Sequence, residues 1–328
     1  MRTAPLAGAA LLAIALAACS GTSATPAKHH LVFVRGASRS TTSVWIADAN
    51  GRSPRKLTRG FAGILSPDGR TVAVTRRDGI HLVSSDGKRE RLLTSARAQH
   101  LRWTPDGKSL VVSTANLLAI VDRASGDSRV IARGPIYGFD FSPSGDRLVY
   151  ARAPHRTDVG ICGDQYDLYV TKLDGGAPTQ LTHEGFSAFP AWGPSRIAYS
   201  RFPGATLTDC ASPGIWTIDP DGSDAQPVIE QAPPELTMEG NYGLQPIAWL
   251  DDGRLLVGVR TESGTQAGVV NVGTGRLRRL RSYVVRASSD GRLFVGEGGD
   301  QELVAITRIE DGRRLFVVQD ACCPDWNR

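Results

Sequence analysis

The chain carries a tight turn, Leu65-Ser66-Pro67-Asp68-Gly69-Arg70, that separates two apolar runs and recurs with variations along its length. Proline at the second turn position pre-sets φ, Asp bonds the local backbone, and Gly takes the left-handed conformation that returns the chain as a hairpin. The apolar residues before it and Thr71-Val72-Ala73-Val74 after it are therefore expected to be two antiparallel strands. Further copies are Thr104-Pro105-Asp106-Gly107, Ser142-Pro143-Ser144-Gly145, the glycine-less Gly193-Pro194-Ser195-Arg196, Leu250-Asp251-Asp252-Gly253 and Ser288-Ser289-Asp290-Gly291, with Cys323-Pro324-Asp325 as a degenerate seventh. Measured at the proline position they are spaced by 38, 38, 51, 57, 38 and 35 residues, a period that belongs to repeat folds.

A second series of turns gives an independent count. Asn50-Gly51, Asp86-Gly87, Ser125-Gly126, Asp174-Gly175, Asp221-Gly222, Thr274-Gly275 and Asp311-Gly312 make seven. Two hairpin turns per unit imply four strands per unit, the blade of a β-propeller. The expected fold is thus all-β, a propeller of seven four-stranded blades, with six as the alternative if the degraded unit around Ser289 does not complete a blade. Leu31 to Arg35, Val44 to Asp48 and Arg55 to Thr58 form a first blade without its innermost strand, and Ala321-Cys322-Cys323-Pro324 is an innermost strand with no blade after it. The C-terminal strand is expected to close the ring by completing the N-terminal blade, which removes open sheet edges.

The Ser-Pro-Asp-Gly-Arg/Lys turn, the apolar strand after it, the Leu168-Tyr169-Val170 type strand before Asp-Gly and the Gln180-Leu181-Thr182 type fourth strand resemble the repeats of TolB-like, or WD40-like, propellers. The resemblance covers about residues 30 to 328. TolB itself has six blades and an additional N-terminal domain, whereas the count here is seven and the stretch ahead of the repeats reads as a leader and tether.

That leader is Arg2 followed by an apolar run from Leu6 to Ala18, too short for a permanent bilayer span, and then Cys19. Leu16-Ala17-Ala18-Cys19 resembles the lipobox of bacterial lipoproteins, which implies cleavage before Cys19 and lipidation of its thiol. Residues 1–18 are then a signal peptide, 19–30 a lipidated tether and 31–328 the propeller. The protein is expected to be exported and held on the extracytoplasmic face of a membrane by acyl chains on Cys19. Export would place Cys162, Cys210, Cys322 and Cys323 in an oxidising compartment. Cys162 and Cys210 sit in matching insertions of consecutive blades and are expected to form a disulfide, whereas Cys322 aligns with the core aromatics Trp103, Phe141, Trp192 and Trp249.

Trp45, Tyr169 and Trp216 on third strands read as inter-blade packing, and His81 aligns with them as a structural residue. Recognition is expected where the period breaks, because insertions in a propeller map to loops on a rigid scaffold. Counting the N-terminal unit as blade 1, blade 4 inserts about Pro154 to Gln165, blade 5 about Pro203 to Pro213, and the link into blade 6 runs from Gln231 to Gln245. Second-to-third-strand loops and blade-to-blade links share one face, so the three should crowd one rim. That candidate binding rim holds His155, Asp158, Asp164, Gln165, His183, Glu184, Asp209, Glu235, Glu239 and Tyr242.

The balance of 38 Lys+Arg against 33 Asp+Glu is too small and dispersed to indicate nucleic acid. Its densest basic run, Arg276, Arg278, Arg279 and Arg281, falls on the expected outer strand of blade 6, where charge guards an edge, with contact to anionic envelope polymer or lipid headgroups as the alternative. The sequence contains no Gly-x-Ser-x-Gly elbow, phosphate loop, zinc motif or dinucleotide fingerprint. The expectation is a non-catalytic, monomeric propeller that binds another envelope protein, needs no cofactor or metal and binds no nucleic acid. The alternatives are a hydrolase or lyase acting on an envelope sugar or peptide through rim His and carboxylates, and a small-ligand receptor.

Overall fold

A computed structural model describes residues 30–36, 42–154, 165–202, 213–231, 243–261, 264–288, 290–297 and 303–326. Among these residues the chain is all strand and turn, arranged as seven four-stranded antiparallel sheets. Blades 2 to 7 each take four consecutive strands, ordered from the centre outwards. Blade 2, for example, is Ala62–Leu65, Thr71–Arg76, Gly79–Ser84 and Glu90–Thr94. Blade 7 keeps an inner strand of only two residues, Arg286–Ala287, yet it pairs in register with Leu293–Glu297, so the unit after Ser289 completes a blade.

Hydroxyl and carboxylate side chains close the repeated turns. In the first copy Ser66 Oγ donates to Asp68 Oδ1 at 2.5 Å, and the same carboxylate oxygen accepts from the Arg70 N–H at 3.0 Å. Ser66 Oγ in turn accepts from the Thr71 N–H at 3.0 Å. Gly69 sits at φ 68°, the conformation the sequence motif requires. Thr104 with Asp106 and Ser288 with Asp290 repeat the arrangement. In the copy with Ser144 where the others have Asp, Asp146 supplies the carboxylate and accepts from Ser142 and Ser144, so the turn survives the change.

Because strand side chains alternate, each middle strand feeds two blade interfaces. Val72 and Val74 face blade 1, packing with Val32, Val34, Val44 and Ile46, whereas Ala73 faces blade 3, packing with Trp103, Leu110 and Val112. The described core resolves into seven such clusters, one at each interface of neighbouring blades. Third-strand Trp45, Tyr169, Trp216 and His81 share one register, opposite Phe33, Tyr150, Tyr199 and Val74.

The ring closes as the sequence implied. The last strand, Cys322–Trp326, pairs antiparallel with His30–Arg35 and becomes the innermost strand of blade 1. Its register corrects two details of the sequence reading. Leu31 pairs with Trp326 as Leu110 pairs with Trp103 and Leu148 with Phe141, so Trp326 and not Cys322 holds the aromatic position. Cys323-Pro324-Asp325 is not a turn but lies within the strand, where a bulge sets Cys323 and Pro324 together opposite Phe33. The pattern misled because a Pro-Asp pair is turn-like in isolation, while pairing with blade 1 keeps it inside a bulged strand.

Asp325 secures this strand. Its carboxylate accepts from the Leu65 N–H of blade 2 at 2.8 Å and from the Arg286 guanidinium of blade 7. Asp140 does the same three blades away, accepting from Trp192 N at 2.9 Å and from Arg102 at 2.6 Å. Each Asp thus ties its own inner strand to the blades on both sides.

Candidate functional site

The roots of two of the three long connections, and the link between them, are sewn together on one face. At the end of the blade 4 insertion, Tyr166 N–H donates to Gly185 O at 2.8 Å in the link to blade 5, and Tyr166 O accepts from Ser187 N at 2.9 Å. Phe202, where the blade 5 insertion begins, donates its N–H to Phe186 O at 3.1 Å. The Gln165 side chain lies against Gly185, which sits at φ 77° with no room for a Cβ. Further round, Gly243 at the end of the link into blade 6 lies against Pro213, where the blade 5 insertion ends. The described roots of these connections therefore lie on one face.

Asp167 fixes the link that carries His183 and Glu184. Its carboxylate accepts from Thr182 Oγ1 at 2.9 Å, Gly185 N at 3.1 Å and Gln180 Nε2 at 3.2 Å, while Thr182 Oγ1 accepts from Leu168 N at 2.9 Å. Glu184 is committed to Arg201 at 3.1 Å, and its other oxygen accepts from the His183 N–H at 3.1 Å. His183 and Glu184 are exposed and Gln165 lies beside them, so these three expected rim residues do come together. His155, Asp158, Asp164, Asp209, Glu235, Glu239 and Tyr242 lie outside the described residues, as do Cys19, Cys162 and Cys210.

A repeated arginine lies outside the turn motifs that mark the blades. Arg35, Arg76, Arg152 and Arg201 each end the second strand of a blade at one register, pointing to this same face. Three of them lie over the aromatic pairs below. Arg35 stands 4.9 Å from the Trp45 ring centroid and 5.3 Å from that of Phe33. Arg152 lies 4.6 Å from the Tyr169 ring and Arg201 4.2 Å from the Trp216 ring. Arg76 instead grips Glu90 with both terminal nitrogens, and Glu90 and Asp78 flank the two ring nitrogens of His81. The legible signal was an arginine four residues after Leu31, Val72, Leu148 and Ile197, the residues at one inner-strand register of blades 1, 2, 4 and 5.

Tyr150 and Tyr199 complete the layer below the arginines. Burial pushes both phenols up to about 12, so they stay protonated. The resulting surface offers partly exposed guanidinium planes backed by Trp and Tyr, side chains that dominate protein-binding hot spots. Among the described residues no three His, Cys, Asp or Glu side chains group where they could hold a metal. Among the same residues no helix is long and apolar enough to cross a membrane.

Fold and repeats together define a seven-bladed β-propeller. No protein-family model matches the sequence. An uncharacterised protein of Agrobacterium fabrum is 24% identical over 193 residues, 55% of this chain and 49% of the relative, so the chain spans about half the length of that curated relative. Among solved structures, TolB from Acinetobacter baumannii superposes with a TM-score of 0.53 at 15% identity, covering 92% of this chain and 67% of that one. A puromycin-hydrolysing peptidase of Mycobacterium tuberculosis gives 0.63 at 17%, covering 90% and 54%. Oligogalacturonate lyase of Vibrio parahaemolyticus gives 0.58 at 14%, covering 89% and 84%. At these identities the likeness is one of fold.

Proposed function

We propose that this propeller is a non-catalytic interaction platform of the bacterial cell envelope, anchored to a membrane through a lipidated Cys19 and binding another envelope protein with the face above blades 4 to 6. The observation that carries the reading is the stitched base of that face, where backbone hydrogen bonds join Tyr166, Gly185, Phe186, Ser187 and Phe202. Loops rooted this way present side chains from a stiff frame, which lowers the ordering cost of binding. Arg152 over Tyr169 and Arg201 over Trp216 add anchors of the kind that protein partners bury. The Glu184 carboxylate, a candidate acid or base in an enzymatic reading, is held by Arg201 and the backbone of its own link.

In-cell cross-linking and pull-down tests this reading, comparing the wild type with Arg152→Ala/Arg201→Ala and with variants shortened between 154 and 165 and between 231 and 245. The expected result is one partner captured in stoichiometric amount and lost in the variants. A purified protein that instead turns over an envelope-derived sugar or peptide, with turnover abolished by His183→Ala, would replace the platform with an enzyme. Saturable thermal stabilisation by a small molecule would replace it with a receptor.

A further inference from the structure

The strand that closes the ring carries an adjacent pair of cysteines, and its backbone brings their side chains together. Consecutive residues of a regular strand point to opposite faces. Here the bulge opposite Phe33 places Cys323 at φ 54°, in the left-handed region that non-glycine residues rarely adopt, and the Cys322 and Cys323 sulfurs stand 2.7 Å apart on one side. Both are half-buried against the cluster of Val32, Val34 and Val44, so solvent reaches them without passing through the core. Two residues further on, Asp325 makes the contacts to Leu65 and Arg286 that hold the strand in the ring.

We propose that Cys322 and Cys323 are a reversible thiol–disulfide site that locks the bulge of the ring-closing strand. The oxidant is a disulfide compound, small or protein-borne. One cysteine thiolate attacks a sulfur of that disulfide, forming a mixed disulfide and expelling one thiolate. The neighbouring cysteine then attacks the mixed disulfide, forming the Cys322–Cys323 bond and expelling the second. The pair gives up two electrons and two protons, and the oxidant becomes two thiols. Cα atoms of adjacent residues stand at most about 3.8 Å apart, below the usual disulfide range, so the closed ring belongs with the readily reduced, regulatory disulfides and not with the permanent structural ones. Oxidation fixes the bulge that registers Asp325, and reduction releases it.

The test uses the full chain equilibrated with either oxidised or reduced glutathione, then denatured, alkylated and digested with trypsin. The peptide from Leu315 to Arg328 contains both cysteines and neither Cys162 nor Cys210. After oxidised glutathione it is expected two hydrogen atoms lighter and without alkyl groups; after reduced glutathione it is expected to carry two. The oxidised wild type should also melt about 2–4 °C above the reduced one, after subtraction of any shift in a Cys322→Ser/Cys323→Ser variant, which keeps Asp325 and the bulge but cannot form the bond. Double alkylation after oxidised glutathione, retained glutathione adducts, or linkage of this peptide to Cys162 or Cys210 would each overturn the site. Equal melting of both wild-type states after that subtraction would overturn the lock.

Discussion

At the scale of single residues, the turns between first and second strands depend on a carboxylate that is more acidic folded than free. Burial pushes Asp68 up, but hydrogen bonds from Ser66 and the Arg70 N–H, with the charge of Arg123, outweigh it and leave the group below its ordinary 3.8. Asp106 is lowered in the same way, against burial, by Thr104 and the Lys108 N–H. A depressed folded value means that stability is fully present above the ordinary value and is lost as pH falls through the folded one. Urea midpoints are therefore expected to fall between about pH 5 and pH 3, and Asp68→Asn/Asp106→Asn is expected to flatten that part of the profile. A second prediction concerns Gly126, which stands at φ 81° with a Cβ position 2.6 Å from the Leu93 carbonyl oxygen of the preceding blade. Gly126→Ala should cost about 1–3 kcal/mol by denaturant titration, through backbone strain and that contact together.

At the scale of the blade, adjacent sheets are tied at both rims of their interface. On the outer side Arg55, Arg91, Arg129 and Arg278 occupy one register of the fourth strand and donate to carbonyls of Ser85, Arg123, Leu173 and Ile309 in the following blade. The dense basic run on the outer strand of blade 6 thus holds one member, Arg278, that serves packing between blades. Arg91→Met should cost about 1 kcal/mol, since the exposed bond is lost and the aliphatic stem retained. On the inner side the cost is larger. Asp325 is only 4% exposed, and Asp325→Ala would leave the buried Leu65 N–H and the Arg286 guanidinium without this acceptor. A loss of about 3 kcal/mol is expected for Asp325→Ala, and a comparable one for Asp140→Ala, read from chemical unfolding at neutral pH.

At the scale of the whole molecule, the ring is a closed series of seven blade interfaces, and the first and last strands meet within blade 1, where Cys322–Trp326 and His30–Arg35 are joined by strand pairing alone. Deleting residues 321–328 would expose the edge of His30–Arg35 and remove Asp325 from two neighbouring blades. The truncated chain is expected to melt on the order of 10 °C lower and over a broader range, because end blades lose their partners and the array unfolds inwards. Calorimetry with a measurement of self-association would show both effects, since an uncovered edge also recruits other chains.

The Ser-Pro-Asp-Gly and Asx-Gly turns, with alternating apolar strands between them, were enough to read four strands per unit, seven units and a ring closed by the C-terminus, because turn chemistry and period-two patterning are local properties. The placement of the described roots of the blade 4 to 6 connections on one face followed from the same topology. The register of the last strand did not, because whether Cys322 or Trp326 fills the aromatic position is decided by pairing with Leu31, nearly 300 residues away in the chain. Nor could a single repeat show that Arg152 and Arg201 stack over aromatic rings, that Glu184 is taken by Arg201, or that Asp140 and Asp325 each bind two other blades. Those contacts join residues of neighbouring strands and blades, and the closure of the ring decides which of them meet.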